Sequence, residues 1–127
     1  MILSPVRSFP ATWDQRRINA GLPLTKRDPV DVLVDAGVLV GLGITEAWDA
    51  RNARFNAGWT YLNGFSIDRA TALKLVSTNL EKLLGVNPSD EVVERDWVAW
   101  RGDVFSFEGQ VAALGGAGSD GSKVSLI

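Results

Sequence analysis

Apolar residues occur in three patterns along this chain. In the first 29 residues they stand apart, as Phe9, Trp13, Ile18 and Leu22, among Pro5, Pro10, Pro23 and Pro29. Each proline removes a backbone donor and restricts its predecessor, so the segment reads as irregular and extended, with its large side chains packed on a neighbouring surface. From Asp28 the run DPVDVLVDAG offers an acidic cap, Pro29 at the first helical position and Gly37 as a stop. It predicts a short helix, although its valines leave a strand open. VLVGLG follows as an unbroken apolar run of strand length, the pattern of a strand covered on both faces in a parallel sheet. Such a strand needs neighbours on both sides, and residues 1–39 show no convincing second one.

The middle of the chain switches to helical spacing. Trp48, Phe55, Trp59 and Leu62 lie seven, four and three residues apart, predicting a helix from about Asp49 to Asn63 that Gly64 ends. Ser66 is a plausible cap for a second helix, with Leu73, Val76, Leu80 and Leu83 on one face and Gly85 at its end. Both helices require a partner surface. Thr78 and Asn79 on this helix read as side-chain hydrogen bonds to a nearby loop. After a loop at Asn87, Pro88, Ser89 and Asp90 the pattern becomes β-like: VVERDWVAW, then VFSFEGQVAAL, joined by Arg101, Gly102 and Asp103. Trp97 and Trp100 in this layer read as packing and an edge contact. The stretch GGAGSDGS predicts a turn before a last strand, KVSLI. Helix, buried strand, polar loop and helix make an α/β repeat, and the alternating strands form a separate β layer.

Composition narrows the chemistry. The chain of 127 residues is 46% hydrophobic and 22% charged with a formal net charge of -2, as in a soluble globular protein without a nucleic-acid footprint. It has no cysteine, which excludes disulfides, thiolate metal sites and a cysteine nucleophile. It has no histidine, the commonest metal ligand and the usual general base near neutral pH. Any site built from this chain alone must use carboxylates, amides, hydroxyls, Lys, Arg and Trp. MILSPVRSFP lacks the pattern of a signal peptide, and residues 30–44 contain Asp31 and Asp35 and fall short of a membrane span. No membrane is implied, and the compartment is left open.

The order of these segments resembles a known family. AGVLVGLGITEAWDARNARFNAGW, then LVSTNLEKLLGV, then DWVAWRGDVFSFEGQVAAL is similar to the C-terminal end of the amidohydrolase superfamily of metal-dependent hydrolases. FPATWDQRR and GLPLT resemble its fungal carbohydrate-esterase or deacetylase-like branch. The resemblance implies an incomplete α/β fold, the C-terminal βα portion of a TIM-like (β/α)8 barrel followed by strands of a small β-sandwich. Residues 1–29 would be an irregular proline-rich segment, residues 30–86 the last βα units of the hydrolase domain, and residues 87–127 the strands of a composite sandwich. The remaining barrel staves would belong to chain not included here, or to a partner chain.

In that family one or two zinc-type divalent metals, held by histidines of earlier strands, activate a water against an amide or ester carbonyl. The resemblance implies such a metal for a full-length relative and none in this chain alone. It also implies a metal-site acid at the end of the last barrel strand. The matching position, two after Gly43, is Thr45 here, and Glu46 follows it; one methylene longer than Asp, Glu46 is the candidate acid. A glutamate before a helix is otherwise a solvated residue favoured by the helix dipole. Arg51 and Asn52 either orient substrate or lock the loop at a helix start. The chain is thus expected to be a C-terminal part of a hydrolase acting on carbon–nitrogen or ester bonds, inactive alone. The alternatives are a non-catalytic subunit that completes a barrel supplied by another polypeptide, and a small α+β binding module.

Overall fold

The computed structural model describes residues 1–3, 25–44, 47–86, 97–116 and 123–126. The chain divides into two units, Met1–Val86 and Asn87–Ile127. The first is mixed α/β around a small parallel sheet, and the second contains an antiparallel sheet.

Helix α1, Pro29–Asp35, begins where the sequence signals place it. The Asp28 carboxylate accepts the Asp31 amide at 2.9 Å, and Pro29 opens the first turn. At the other end Gly37 takes φ 76, with Val38 N–H bonded to Leu33 O and Gly37 N–H to Val34 O, each at 3.0 Å. This is the Schellman arrangement, and the left-handed residue that closes it favours glycine.

Strand β2, Gly41–Leu42, pairs in parallel with β1, Ile2–Leu3. Parallel neighbours need a crossover between them, and α1 lies on that crossover. The first three residues therefore supply the neighbour that residues 1–39 were not expected to contain. Two residues of β-structure are too few to show as a periodic run, so pairing alone reveals β1. Residues 4–24, most of the proline-rich segment, lie outside the described residues.

A 3-10 turn, Ala47–Asn52, leads into α2, Ala53–Asn63. Gly64 stops α2, as its position suggested. Its backbone is extended, and a Cβ there would lie 2.8 Å from Thr60 O and 3.1 Å from Ile67 Cβ. The buried face of α2 differs from the expected aromatic stripe: Ala57, Gly58 and Thr60 are buried, while Trp48 is 55% and Leu62 76% exposed. The buried positions of α2 thus carry small residues.

The helix expected between Ser66 and Gly85 is two helices, α3, Arg69–Leu75, and α4, Thr78–Leu83. Asp68, not Ser66, caps α3, accepting the Thr71 amide at 2.7 Å. The chain leaves the helical region at Ser77, whose hydroxyl donates to Leu73 O at 2.7 Å. The break redirects α4 over β2. A Cβ at Gly41 would lie 2.7 Å from Leu80 Cδ2 and 3.1 Å from Leu83 Cδ1, so glycine allows the helix to sit directly on the strand. Val30, Val40, Leu42, Ala57, Ile67, Ala72 and Leu75 are buried in this unit.

In the second unit β3, Trp97–Arg101, β4, Gln110–Gly116, and β5, Lys123–Leu126, form an antiparallel sheet in that order. The second alternating segment does not begin at Val104. Asp103 accepts the Phe105 amide at 2.9 Å through its carboxylate and the Ser106 amide at 3.0 Å through its carbonyl, so successive turns occupy the chain until Gln110. A register shift between Ala99 and Trp100 sets Ala112 outside the pairing. Trp97 lies opposite Gly115, and its indole covers the glycine. Trp97, Val98, Trp100 and Leu114 are exposed, and Ala113 is the buried apolar side chain among the described residues of this sheet. Among the described residues no helix is long and apolar enough to cross a membrane.

Candidate functional site

Parallel α/β sheets place ligand sites at the carboxyl ends of their strands. In this chain those ends meet at Gly43. Its amide donates to Leu3 O at 2.8 Å, and a Cβ there would be 2.9 Å from Ile2 Cγ2. Glycine permits that close approach of β1 to the end of β2. Ile44 follows, and Thr45 and Glu46, the candidate acid among them, lie outside the described residues.

The chain is described again at Ala47. The 3-10 turn holds Arg51 and Asn52 side by side, Arg51 exposed and Asn52 half-buried, directly before α2. Asn52 occupies the cap position without a side-chain capping bond. Asp49 in the same turn is buried. Asn79 donates its side-chain amide to Val40 O at 2.7 Å, tying α4 to β2 just ahead of the strand.

The densest polar constellation lies elsewhere, around α1. The Asp31 side chain is 0% exposed, and its Oδ1 accepts the amides of Phe65 and Ser66, each at 2.8 Å. Its Oδ2 accepts Arg27 Nε, while Arg27 Nη1 reaches Asp35 Oδ2 at 2.9 Å. The Ser66 hydroxyl donates to Asp35 Oδ1 at 3.0 Å and receives Arg27 Nη2 at 3.2 Å. Burial pushes the Asp31 carboxyl up, but the Arg27 hydrogen bond and the two amides outweigh it and hold the group below the ordinary carboxylate range. Asp35 is held low by Arg27, and further by Ser66. The spacing of Arg27, Asp31 and Asp35, four residues apart from just before the cap of α1 to its last residue, was a readable signal for this group. Its attachment to Phe65 and Ser66 was not.

This constellation is structural in its chemistry. Both Asp31 oxygens are committed to N–H donors, leaving the carboxylate poorly placed to take a proton from a substrate or to bind a metal. Among the described residues no group of three or more His, Cys, Asp or Glu side chains could hold a metal ion. With no histidine or cysteine anywhere in the chain, the residues described do not fit the zinc-type centre that the resemblance implies.

No family model matches this sequence, and no solved structure does. Over 92 residues, 72% of the chain, the sequence is 44% identical to a protein named amidohydrolase tasK from Hapsidospora irregularis. The match spans 9% of that protein's length. The chain is therefore related in sequence to an amidohydrolase, of which it covers a small part.

Proposed function

We propose that this chain is the C-terminal part of an amidohydrolase-like, metal-dependent hydrolase of the fungal deacetylase-like branch, acting on amide or ester bonds and inactive by itself. The observation that carries the reading is the 44% identity to the protein named amidohydrolase, together with the 9% of that protein's length that the match covers. The parallel β1–α1–β2 arrangement supports it, since such units are the repeat of a (β/α)8 barrel. In this reading Glu46 is the acid at the end of the last stave, and Arg51 and Asn52 orient substrate or lock the loop beside it. The metal ligands belong to other parts of a complete enzyme.

The test compares the isolated chain with a longer protein that carries it. The isolated chain should neither retain stoichiometric zinc nor hydrolyse amide or ester substrates. Tight zinc binding with turnover by these 127 residues alone would remove the reading. In the longer protein, Glu46→Gln should lower kcat by about a hundredfold or more, as expected for loss of a proton-transfer group. Unchanged turnover and metal content would take Glu46 out of the mechanism.

A second reading is a non-catalytic subunit that completes a fold provided by another polypeptide. The exposed Trp97, Val98, Trp100 and Leu114 of the antiparallel sheet favour it. A soluble chain that unfolds cooperatively and remains monomeric at every concentration in size-exclusion chromatography would argue against this reading and against the fragment alike.

A further inference from the structure

Residues 69–84 carry the signals of one helix. Asp68 caps the start, Gly85 closes the end at φ 71 with Val86 N–H bonded to Glu81 O at 2.9 Å, and no glycine or proline lies between. Leu73, Val76, Leu80 and Leu83 keep helical spacing throughout. The Ser77 hydroxyl, on Leu73 O at 2.7 Å, makes the bond to the fourth residue back that a serine makes inside a helix, and such a bond bends helices without ending them. The local sequence therefore does not account for two helices, and the cause lies in the packing.

The packing differs on the two sides of Ser77. α3 is anchored, with Ala72 and Leu75 fully buried. Every residue of α4 is half-buried or exposed, and two contacts seat the helix on β2. Asn79 Nδ2 donates to Val40 O at 2.7 Å, and Leu80 and Leu83 cover Gly41, so closely that a Cβ there would lie 2.7 Å from Leu80 Cδ2. Because the chain leaves the helical region at Ser77, a straight continuation of α3 takes residues 79–83 off β2. In return it offers the Thr78 and Asn79 amides, the first two of α4 and without a carbonyl partner inside that helix, the carbonyls of Lys74 and Leu75. The break exchanges helical hydrogen bonds for a seat on the strand.

We propose that α3 and α4 form a two-state strap, bent at Ser77 while α4 is seated on β2 and one straight helix over residues 69–84 when that seat is lost. A segment whose local preference and tertiary packing disagree has two arrangements close in free energy, and the remaining contacts decide between them. The strap lies on the strand that leads into Gly43, so the seat couples the angle between the two helices to the strand that carries the candidate site. It involves only β2, α3 and α4 and goes beyond the hydrolase reading, which stands whether the strap exists or not.

Nuclear magnetic resonance of the chain tests the strap through the Cα chemical shift of Ser77 and amide exchange at Thr78 and Asn79. In the unaltered chain the Ser77 shift should be non-helical. Leu80→Lys keeps helix propensity and removes an apolar side chain from Gly41. In this variant the Ser77 shift should become helical, and the Thr78 and Asn79 amides should exchange about tenfold or more slowly. A folded Leu80→Lys protein with a non-helical Ser77 and unchanged rates overturns the proposal. So does faster exchange, the sign that α4 frays instead of joining α3, and so does a helical Ser77 in the unaltered chain. If Leu80→Lys does not fold, Asn79→Ala decides in its place, since a half-buried side chain then loses one hydrogen bond and alanine favours the straight helix. The same outcomes, read at Ser77 and Thr78, support or overturn the strap.

Discussion

The Asp31 carboxylate joins two parts of the chain far apart in sequence, and its removal should be felt widely. It is ionised, inaccessible to solvent and bonded to Arg27 and to the amides of Phe65 and Ser66. Asp31→Ala leaves the two amides and part of the guanidinium without their acceptor, so unfolding by urea near neutral pH should show a loss of about 3 kcal/mol. The same group sets a pH dependence. Asp31, Asp35 and Asp68 all have carboxyl pKa values lowered by folding. A lowered folded-state pKa contributes stability that is fully present above the unfolded value and is lost as pH falls through the folded one. Stability should thus be flat from neutral pH down to about pH 5 and decline below about pH 4, with a shallower decline in Asp31→Ala. Two glycines separate strain from collision at this scale. Gly85 has φ +71 and open space around it, so Gly85→Ala should cost about 1 kcal/mol through backbone conformation alone. Gly64 has ordinary angles but no room beside Thr60 O and Ile67, so Gly64→Ala should cost about 2 kcal/mol through overpacking. Thermal melts of the two variants check both values.

At the scale of elements, the features legible in the sequence were those decided by local chemistry. Asp28, Pro29 and Gly37 delimit α1 as their types require, because caps and left-handed stops depend on groups within a few residues. Gly64 ends α2 for a related reason. What the chain pattern could not reveal was which face a helix buries. Trp48 and Leu62 are exposed, and the buried positions of α2 are Ala57, Gly58 and Thr60; α2 packs against α3, a helix further along the chain. Nor did the apolar spacing from Leu73 to Leu83 show the break at Ser77, since the spacing continues through it. In the antiparallel sheet the pairing of Trp97 with Gly115 offers a test of element packing. A side chain at position 115 must displace the indole, so Gly115→Val should alter the near-ultraviolet circular dichroism of the tryptophans and destabilise the sheet by about 1–3 kcal/mol.

For the whole molecule, the division at Val86 and Asn87 separates unequal units. The first buries Val30, Val40, Leu42, Ile67 and Leu75, whereas the described part of the second buries Ala113 alone among apolar side chains. Resistance to opening follows buried apolar contact, so the amides of α2 and α3 should exchange more slowly than those of β3 and β4. Hydrogen exchange followed by mass spectrometry reads this directly, and equal protection of both units would contradict it. Among the candidate site residues, Arg51 and Asn52 are brought together before α2, while Glu46 lies outside the described residues. The sequence marked a position for a candidate site, a polar loop after an apolar run, because strand ends in α/β folds open towards ligands.

By itself, the sequence determined the helix limits at Asp28, Gly37 and Gly64, the absence of imidazole and thiol chemistry, and the relationship to an amidohydrolase. Each follows from residue types and their order, which act over a few positions or not through space at all. Only the tertiary structure decided that Ile2–Leu3 pairs with Gly41–Leu42, that Asp31 binds the Phe65 and Ser66 amides, and that the Asn79 side chain donates to the Val40 carbonyl. These are contacts between residues more than thirty positions apart, formed by groups whose partners no local pattern names.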